Sequence, residues 1–505
     1  MKILFIYPNA GSQLGFNYGV AHIAAILKKA GHDVAFRQMC EDLGPLPEKD
    51  EFIESLRKAA PDMIGFSVVT NQWPYAAKLA GWARQALDVP LVCGGIHATV
   101  AGREVLETGL FDYVFMGEAE DAFLEFVEKY EKGEAVEDIR NMGLTINGAV
   151  RINPVRPLPD LEKLPFKAYE IMDFQKIIDA KNGWVGLMGS RGCPFQCTYC
   201  FNHLMVKKYR TDLRCGFTEL NYIRHFKVQQ VIDEIEFLQK NYKNISMYIF
   251  DDDLFTFDKA YVKAFCRAYP KVSNLPFVVN GHVGFFDESR ASQLAQAGCR
   301  IVKFGVESGS PKIRSRIMNR HMSNEKIIEA INHVHRYGMH SSVFIMIGLP
   351  FEDPDDVMDT IRFLSRAKPG RFRWTFFFPF PGTESYQMSI DGGYVNEEKI
   401  HSLLNFTDES ALDFGETHNL FLEKVGRIMP WFVNAYADFE VSPIYLEKVN
   451  KILRMNRDQW ETVSPTLLEE DRELSGELQK KNQRHYAVKY NPFMGVISDY
   501  FMNER

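Results

Sequence analysis

Three cysteines that lie close together are the residues of this sequence best suited to chemistry: Cys193, Cys197 and Cys200. The gaps of three and two residues between them let one tight loop direct all three thiolates at a single metal centre. Thiolates suit zinc as well as an iron–sulfur cluster, and His203 is the possible fourth ligand of a zinc site. The spacing alone leaves both alternatives open.

Charged and small residues follow successive apolar runs further along the chain, where strands of a parallel sheet would end. Such strand ends surround the ligand in parallel barrels, so these residues are candidates for a binding site. A solvated turn that caps the next helix would also explain the acidic ones. The candidates are Asp252, Asp253, Glu307, Ser308 and Gly348.

The apolar runs predict an α/β segment that begins near Trp184. Six strand-like runs alternate there with helical patterns, which indicates a parallel sheet. The segment is short for a complete eight-stranded barrel, which takes roughly 250 residues. We therefore predict a partial (β/α)6 TIM-like barrel with strands at 184–188, 246–250, 276–279, 300–304, 341–347 and 373–378.

The first part of the chain also alternates strands with helices. This rhythm predicts a doubly wound, flavodoxin-like (Rossmann-type) sheet, which binds ligands at the carboxyl ends of its strands. The turn Asn9–Gly15 lacks the G-x-G-x-x-G spacing of dinucleotide-binding domains, and no aspartate ends the third run as in phospho-receiver domains. The predicted strands lie at 2–7, 33–38, 63–69, 91–93 and 113–116.

The cysteine spacing, with Tyr199 just before the last cysteine, resembles that of the radical S-adenosylmethionine (radical SAM) superfamily. The resemblance extends over the whole second segment. It implies that the three cysteines hold a four-iron four-sulfur (4Fe-4S) cluster, and that the amino and carboxylate groups of SAM chelate the fourth iron. It also implies SAM-binding roles for Tyr199, Asp252, Asp253, Glu307, Ser308 and Gly348.

The first segment resembles the cobalamin-binding domain that precedes the radical SAM domain in one large subfamily. The resemblance rests on Ser67-Val-Val69, on Gly117-Glu118, and on the pair Gly94-Gly95, which would let the cobalamin tail pass close to the backbone. It implies a cobalamin site made of Asn9, Gln13, Asn17, Ser67, Thr70, Gly94, Gly95, His97, Gly117 and Glu118.

One departure from that subfamily concerns the loop Pro8–Tyr18. Many of these domains place a histidine there as the lower cobalt ligand, but this loop contains neither Asp nor His. We therefore expect cobalt without a histidine below it, with Asn9, Gln13 and Asn17 nearest to its lower face. The same absence is compatible with a domain that has lost cobalamin.

The combined resemblance implies a cobalamin-dependent radical SAM enzyme. We expect a methyltransferase that acts on an unactivated carbon through a 5′-deoxyadenosyl radical and methylcobalamin. The alternative is a non-methylating radical reaction, such as the oxidative ring closure of a tetrapyrrole or other apolar substrate by anaerobic magnesium-protoporphyrin ester cyclase-like relatives. A remote alternative is a corrinoid- or zinc-binding sensor module.

The substrate is expected to be a small molecule. The run Phe376–Phe380 would line an apolar pocket in one interpretation, and in the more ordinary one it packs between barrel and C-terminal helices. Arg371 and Arg373 are candidates for a phosphate or carboxylate site, although no arginine cluster clearly marks one. The radical chemistry implies anaerobic conditions and an electron donor such as flavodoxin or ferredoxin.

Composition restricts the remaining functional classes. The 505 residues include 59 Lys and Arg against 66 Asp and Glu, a net charge of −7, which argues against a nucleic-acid partner. No apolar run approaches the ~18 residues of a membrane span and no signal peptide is evident, so we expect a cytoplasmic protein. Eight cysteines are too few for a disulfide framework.

The domain boundaries are predicted from changes in composition. Prolines at 154, 157, 159 and 165 indicate an inter-domain linker, because proline does not fit inside helices or central strands. The predicted organisation is a cobalamin-binding domain at 1–135, a linker at 136–180, a radical SAM domain at 181–395 and a mostly helical C-terminal domain at 396–505.

Overall fold

The computed structural model describes residues 1–402, 409–491 and 496–500. The chain packs into two compact units. The first contains residues 1–195 and 200–246, and the second contains residues 196–199 and the chain from Met247 onward.

The sheet of the first unit has the predicted flavodoxin-like order. Five parallel strands lie side by side as second, first, third, fourth and fifth in the chain. They are Lys2–Pro8, Asp33–Met39, Met63–Ser67, Leu91–Gly94 and Tyr113–Phe115. Strand Lys2–Pro8 buries Ile3 on one side of the sheet and Leu4 on the other, as expected of a parallel sheet covered on both faces.

Two further strands extend this sheet into the segment that was predicted to be linker. Met142–Ile146 pairs antiparallel with Tyr113–Phe115, and Ala149–Ile152 pairs with Met142–Ile146. The turn between them is Asn147-Gly148, and both residues have positive φ. An Asn-Gly pair between short apolar strands is a strong hairpin signal, which the neighbouring prolines obscured.

Helices cover both faces of the first unit's sheet and continue after it. Around the sheet they are Tyr18–Lys29, Lys49–Ala59, Trp73–Ala86, Ile96–Val100, Gly102–Glu107 and Glu120–Glu131. After the hairpin, the unit adds strand Trp184–Leu187 and the helices Phe174–Ala180, Phe201–Leu213, Phe217–Leu220 and Val228–Asn241.

The second unit continues the predicted β/α series. Its parallel strands pair in chain order: Met247–Phe250, Phe277–Gly281, Cys299–Glu307, His340–Ile347 and Arg371–Phe376. Together with Trp184–Leu187, the chain has the six strands of the predicted partial barrel. The connecting helices are Lys259–Ala268, Glu288–Gln296, Asn324–Arg336 and Pro354–Ala367.

The C-terminal region is largely helical, as predicted, but it also contributes strands. Its helices are Glu384–Asp391, Glu397–Ser402, Glu416–Tyr436, Ser442–Leu453, Arg457–Val463 and Leu467–Lys480, and Glu416–Tyr436 is kinked at Ile428, just before Pro430. Strand Val496–Tyr500 pairs antiparallel with Arg371–Phe376, and Lys489–Asn491 pairs with it in turn. The region is therefore mostly helical, as predicted, with two short strands in addition.

The C-terminal helices cover the outer face of the second sheet. The indole of the buried Trp374 donates a hydrogen bond to the carbonyl of Gly426 at 2.8 Å, and Phe376 and Phe377 are buried as well. These two phenylalanines therefore agree with the interpretation that the run Phe376–Phe380 packs between the barrel and the C-terminal helices. Within the described ranges, no helix has the length and apolar character needed to cross a membrane.

We predict that Gly309→Ala destabilises the second unit. A Cβ at Gly309 would lie 2.5 Å from the Cα of Thr360 and 2.6 Å from the Cβ of Phe363 in helix Pro354–Ala367. Overpacking of this kind costs about 1–3 kcal/mol. The matched control is Gly476→Ala, because no atom of the residues described in the structure lies within 4 Å of that Cβ. Denaturant unfolding should show a loss of stability for the first variant only, and equal midpoints would contradict this packing.

Candidate functional site

The segment that carries Cys197 is fixed to the loop that follows strand Cys299–Glu307. Thr198 Oγ1 donates to the carbonyl of Ile317 at 2.6 Å, and Asn319 Nδ2 donates to the carbonyl of Gln196 at 2.8 Å. Cys197 itself is buried. These bonds hold one of the three thiols of the cysteine motif in a fixed position.

Arg320 contacts that thiol directly, although no sequence pattern marks this arginine. Its Nη1 lies 3.4 Å from Cys197 Sγ and 3.5 Å from the hydroxyl of Tyr199, and its Nη2 donates to the carbonyl of Gly305. Burial lowers the pKa of Arg320, but the facing Tyr199, Glu307 and Cys197 outweigh burial and raise it. Nε of Arg320 is buried with no hydrogen-bond partner in the described part of the chain, so it can donate to a bound anion.

Glu307 lies beside this guanidinium in an unusual backbone conformation. Its φ is +69°, which is rare for a residue other than glycine, and the strand pairing shifts register between Gly305 and Glu307. A Cβ at Gly305 would lie 2.4 Å from Glu307 Oε1 and 3.5 Å from Arg320 Nη2. Because glycine has no side chain, position 305 leaves room for the carboxyl of Glu307 and the guanidinium of Arg320.

The carboxyl of Glu307 is electrostatically perturbed. Burial raises its pKa, and the charge of Arg320 and a hydrogen bond with Tyr199 offset that effect only in part. Strained backbone and perturbed carboxyls concentrate at functional sites. Cys197, Tyr199, Glu307 and Arg320 thus form one cluster, which unites three of the predicted residues with one that had no sequence signal.

Ser308 and Gly348, two other predicted SAM-binding residues, shape the loops of the second unit. Ser308 is fully buried, shares a hydrogen bond of 3.2 Å with Thr360 Oγ1 and accepts the N–H of Ser310 at 3.1 Å. Gly348 has a positive φ, and its N–H donates to Glu352 at 2.6 Å. Contact of either residue with SAM stays a prediction.

The two predicted SAM-binding aspartates that follow strand Met247–Phe250 differ in their exposure to solvent. Asp252 is fully buried, and its carbonyl accepts a hydrogen bond from Asn280 Nδ2 at 2.8 Å. Asp253 is exposed. In the described ranges, no three His, Cys, Asp or Glu side chains are arranged to hold one metal ion.

The predicted cobalamin residues of the first loop contact one another. Asn17 caps the helix Tyr18–Lys29 by accepting the N–H of Val20 at 3.0 Å, and its Nδ2 donates to Ser67 Oγ at 3.0 Å. Asn9 is buried, and its Nδ2 donates to the carbonyl of Gln13 at 3.1 Å. The structure therefore brings four predicted residues to the carboxyl edge of the first sheet.

Several buried polar atoms of the first unit lack a hydrogen-bond partner among the described residues. Among them are Thr70 Oγ1 and His97 Nδ1, which belong to predicted residues, and Gln38 Oε1 and Tyr75 OH, which no sequence pattern marked. Burial lowers the pKa of His97 to about 4, so its imidazole is neutral, and it lies 4.6 Å from the ring of Trp73. Buried polar groups normally find partners, and these atoms fit the polar periphery of a ligand such as cobalamin.

Gly94 and Gly95 differ in whether the fold itself requires glycine at the position. Gly95 has a φ of +91°, and a Cβ there would lie 2.7 Å from the carbonyl oxygen of Val68, so the fold itself requires glycine. Among the described atoms, a Cβ at Gly94 would meet only the carbonyl oxygen of Phe66, at 3.9 Å, so packing within the described chain does not require glycine at this position. Open space at Gly94 fits the close passage of a ligand over the backbone.

Gly117 and Glu118 serve a buried ion network within the first unit. Glu118 lies 2.6 Å from Arg191 and also pairs with Arg224. Although burial raises the pKa of Glu118, these two arginines outweigh burial and lower it. A Cβ at Gly117 would lie 2.3 Å from the hydroxyl of Tyr209. Packing and charge pairing thus explain both residues, and their contact with cobalamin stays a prediction.

Comparison with known proteins identifies the two segments. Residues 187–364 match the Radical SAM superfamily and residues 12–127 match the B12 binding domain. An uncharacterized methyltransferase of Pyrococcus horikoshii is 27% identical over 81% of this chain and 89% of its own. The anaerobic magnesium-protoporphyrin IX monomethyl ester cyclase of Rubrivivax gelatinosus is 26% identical over 82% of this chain and 75% of its own.

A solved structure shows the same fold. The radical SAM methyltransferase TsrM of Kitasatospora setae, with cobalamin and a 4Fe-4S cluster bound, superposes with a TM-score of 0.62. It is 17% identical and covers 77% of this chain and 75% of its own.

The chain is a radical SAM enzyme with a B12-binding domain. Its cofactors are a 4Fe-4S cluster, SAM and cobalamin. This identification decides the open question about the cysteines in favour of iron and sulfur rather than zinc. It also excludes the sensor-module alternative.

We predict that Arg320→Met lowers the reduction potential of the cluster. The variant loses a charged N–H donor to the sulfur of Cys197, and such donors stabilise the more negative, reduced cluster. A lost hydrogen bond of ~1.4 kcal/mol corresponds to a shift of roughly 60 mV in a one-electron couple. A redox titration followed by electron paramagnetic resonance measures it. Arg316→Met, at an exposed position of the same loop, should leave the potential unchanged.

We predict that alanine affects a different property at each of the two glycines: stability at Gly95 and cobalamin binding at Gly94. Gly95→Ala should destabilise the first unit by about 1–3 kcal/mol, because its Cβ would collide with backbone. Gly94→Ala should unfold like the wild type but bind hydroxocobalamin about tenfold more weakly, a loss of ~1.4 kcal/mol. Absorption titration and denaturant unfolding separate these effects. Unchanged cobalamin affinity in Gly94→Ala would contradict ligand passage over this glycine.

Proposed function

We propose that the protein is a cobalamin-dependent radical SAM methyltransferase that acts on an unactivated carbon of a small molecule. The observation that carries the proposal is the presence in one chain of both cofactor-binding arrangements. The radical SAM segment holds the cluster of Cys197, Tyr199, Glu307 and Arg320, and the B12-binding segment has open space over Gly94. Similarity to the methyltransferase of Pyrococcus horikoshii extends over 81% of the chain and supports this proposal.

When bound, the cofactors supply the difficult chemistry. SAM and the 4Fe-4S cluster provide a carbon-centred radical, and cobalamin provides a methyl group. The protein residues bind and orient them. We assign cluster ligation to Cys193, Cys197 and Cys200, and contact with SAM to Glu307 and Tyr199.

Cobalamin is assigned to the carboxyl edge of the first sheet. Thr70 Oγ1 and His97 Nδ1 find no hydrogen-bond partner there among the residues that the structure describes, and Gly94 has open space beside its backbone in the same part of the chain. No histidine lies in the loop Pro8–Tyr18. We therefore propose that this loop gives cobalt no histidine ligand, which favours the low-valent state used for methyl transfer.

A second candidate is a non-methylating radical reaction such as oxidative ring closure. The observation that favours it is the similarity to the Rubrivivax gelatinosus cyclase over 82% of this chain. The two candidates differ in the fate of SAM. A methyltransferase forms S-adenosylhomocysteine as well as 5′-deoxyadenosine, whereas ring closure consumes SAM only as a source of the radical.

The remaining proposals concern the setting of the reaction. We propose a flavodoxin or ferredoxin as the donor of the electron that reduces the cluster, anaerobic operation, and a cytoplasmic location. The domain boundaries at 135, 180 and 395 likewise stay proposals. The hairpin at 142–152 extends the first sheet into the proposed linker.

The test of the proposed function is single-turnover product analysis without added substrate. Protein reconstituted with cluster and hydroxocobalamin is reduced with titanium(III) citrate and given SAM. We expect S-adenosylhomocysteine in an amount equal to the bound cobalamin, because SAM must methylate the reduced cofactor. Protein loaded with cluster alone is the control and should form none. Formation of 5′-deoxyadenosine without S-adenosylhomocysteine in the doubly loaded protein would favour the ring-closure candidate.

A further inference from the structure

Glu307 is the central residue of a γ-turn at the end of its strand. The N–H of Ser308 donates to the carbonyl of Val306 at 2.9 Å, which closes a three-residue turn, and the φ of Glu307 is +69°. A γ-turn with a positive φ at its centre is rare and strained. Such a conformation persists only where the surrounding contacts hold it. The backbone on both sides of Glu307 must therefore be fixed by other residues.

The peptide group that follows the turn is bonded at both of its polar ends. This peptide joins Ser308 to Gly309. Its carbonyl accepts a hydrogen bond from Arg314 Nη1 at 2.5 Å, and its N–H donates to Thr360 Oγ1 at 2.8 Å. Because both ends are bonded, the orientation of the peptide is set. Arg314 thus fixes the backbone directly after Glu307.

Arg314 is itself anchored by two further acceptors. Its Nη2 donates to the carbonyl of Met322 at 3.1 Å and to Asn324 Oδ1 at 2.6 Å. Asn324 Nδ2 in turn donates to the carbonyl of Gly309 at 3.1 Å. The guanidinium presents its donors in a rigid, planar fork. One side chain therefore connects the γ-turn to the start of helix Asn324–Arg336.

The backbone before the turn is fixed by Arg320, and the two arginines are joined to each other. Arg320 Nη2 donates to the carbonyl of Gly305, and the N–H of Arg320 donates to the carbonyl of Arg314 at 2.7 Å. The segment from Gly305 to Ser308 is thus bonded to Arg320 at its beginning and to Arg314 at its end. A change at Arg314 releases only the end of this segment.

The burial of Arg314 indicates that its hydrogen bonds, rather than the space it fills, explain an arginine at this position. The side chain is fully buried. Burial and the like charge of Arg320 lower its pKa to about 10, although Glu325 opposes them, so the group is charged at neutral pH. Burying a cation costs free energy, and methionine would fill a similar volume without that cost. Arginine provides the three hydrogen bonds that methionine cannot make.

We propose that Arg314 is a positioning residue for SAM binding. By holding the Ser308 carbonyl, it keeps Glu307 in the γ-turn, with the carboxyl of Glu307 beside Arg320. Arg314 acts through Glu307 and needs no contact of its own with SAM. The inference rests on the proposed contact between Glu307 and SAM, and it deepens the proposed function by naming a residue that sets this contact.

The test is a double-mutant cycle between Arg314→Met and Glu307→Gln, with the dissociation constant of SAM as the readout. Equilibrium dialysis with labelled SAM uses protein that carries cobalamin and the oxidised cluster, without reductant, so that no SAM is consumed. Glu307→Gln should weaken SAM binding at least about tenfold, as expected for loss of a charged hydrogen-bond acceptor. Arg314→Met should weaken it by a similar factor alone, but should have no further effect in the Glu307→Gln protein.

The matched control is Arg316→Met, because Arg316 is exposed in the same irregular turn, Ile313–Ile317. This variant should bind SAM as tightly as the wild type. Cluster and cobalamin absorption spectra establish that each variant is folded and loaded. If Arg314→Met does not fold, Asn324→Ala takes its place in the cycle. Asn324→Ala removes a half-buried partner of Arg314 and should weaken SAM binding about threefold, as expected for loss of a neutral hydrogen bond.

An arginine that only stabilises the fold would weaken SAM binding by the same factor with Glu or Gln at position 307. That additive result overturns the proposal, as does unchanged SAM affinity in the Arg314 or Asn324 variant that is tested. Unchanged SAM affinity in Glu307→Gln also overturns it, but by removing the contact between Glu307 and SAM. Failure of the methyltransferase proposal is distinguishable, because it would abolish S-adenosylhomocysteine formation while leaving the SAM affinities and their coupling intact.

Discussion

The guanidinium of Arg320 makes the contacts on which the arrangement of side chains around Cys197 depends. A largely desolvated cation requires partners, and this one bonds to the carbonyl of Gly305 and contacts Cys197 and Tyr199. It therefore connects the cysteine segment to the end of strand Cys299–Glu307. The strained Glu307 and the absence of a side chain at Gly305 follow from the same need for space around that charge.

Local patterns predicted much of the architecture. The strands Lys2–Pro8 and His340–Ile347 lie within one residue of their predicted ends, because continuous apolar runs bounded by turns are typical of buried parallel strands. The hairpin at 142–152 was missed because its strands are short and the prolines that follow them indicated a linker. The three cysteines and the glycine pair were recognisable because their spacing is local.

The rest of the site depends on long-range contacts that no local pattern reveals. Arg320 is 123 residues from Cys197 in the chain, and it follows an irregular π-helical turn at Ile313–Ile317. Gln38 and Tyr75 likewise lie among ordinary residues, and they are marked only by buried atoms that have no hydrogen-bond partner within the described ranges. Arg371 and Arg373 were weak candidates from sequence, and a phosphate or carboxylate site at these two residues of strand Arg371–Phe376 stays a prediction.

We propose that SAM chelates the open iron of a cluster held by Cys193, Cys197 and Cys200. The most direct measurement is electron–nuclear double resonance of the reduced, reconstituted protein with SAM labelled with ¹⁵N in the amino group and ¹⁷O in the carboxylate. We expect hyperfine coupling of both labels to the cluster. A reduced cluster that shows coupling to neither label, with SAM bound, would contradict the account.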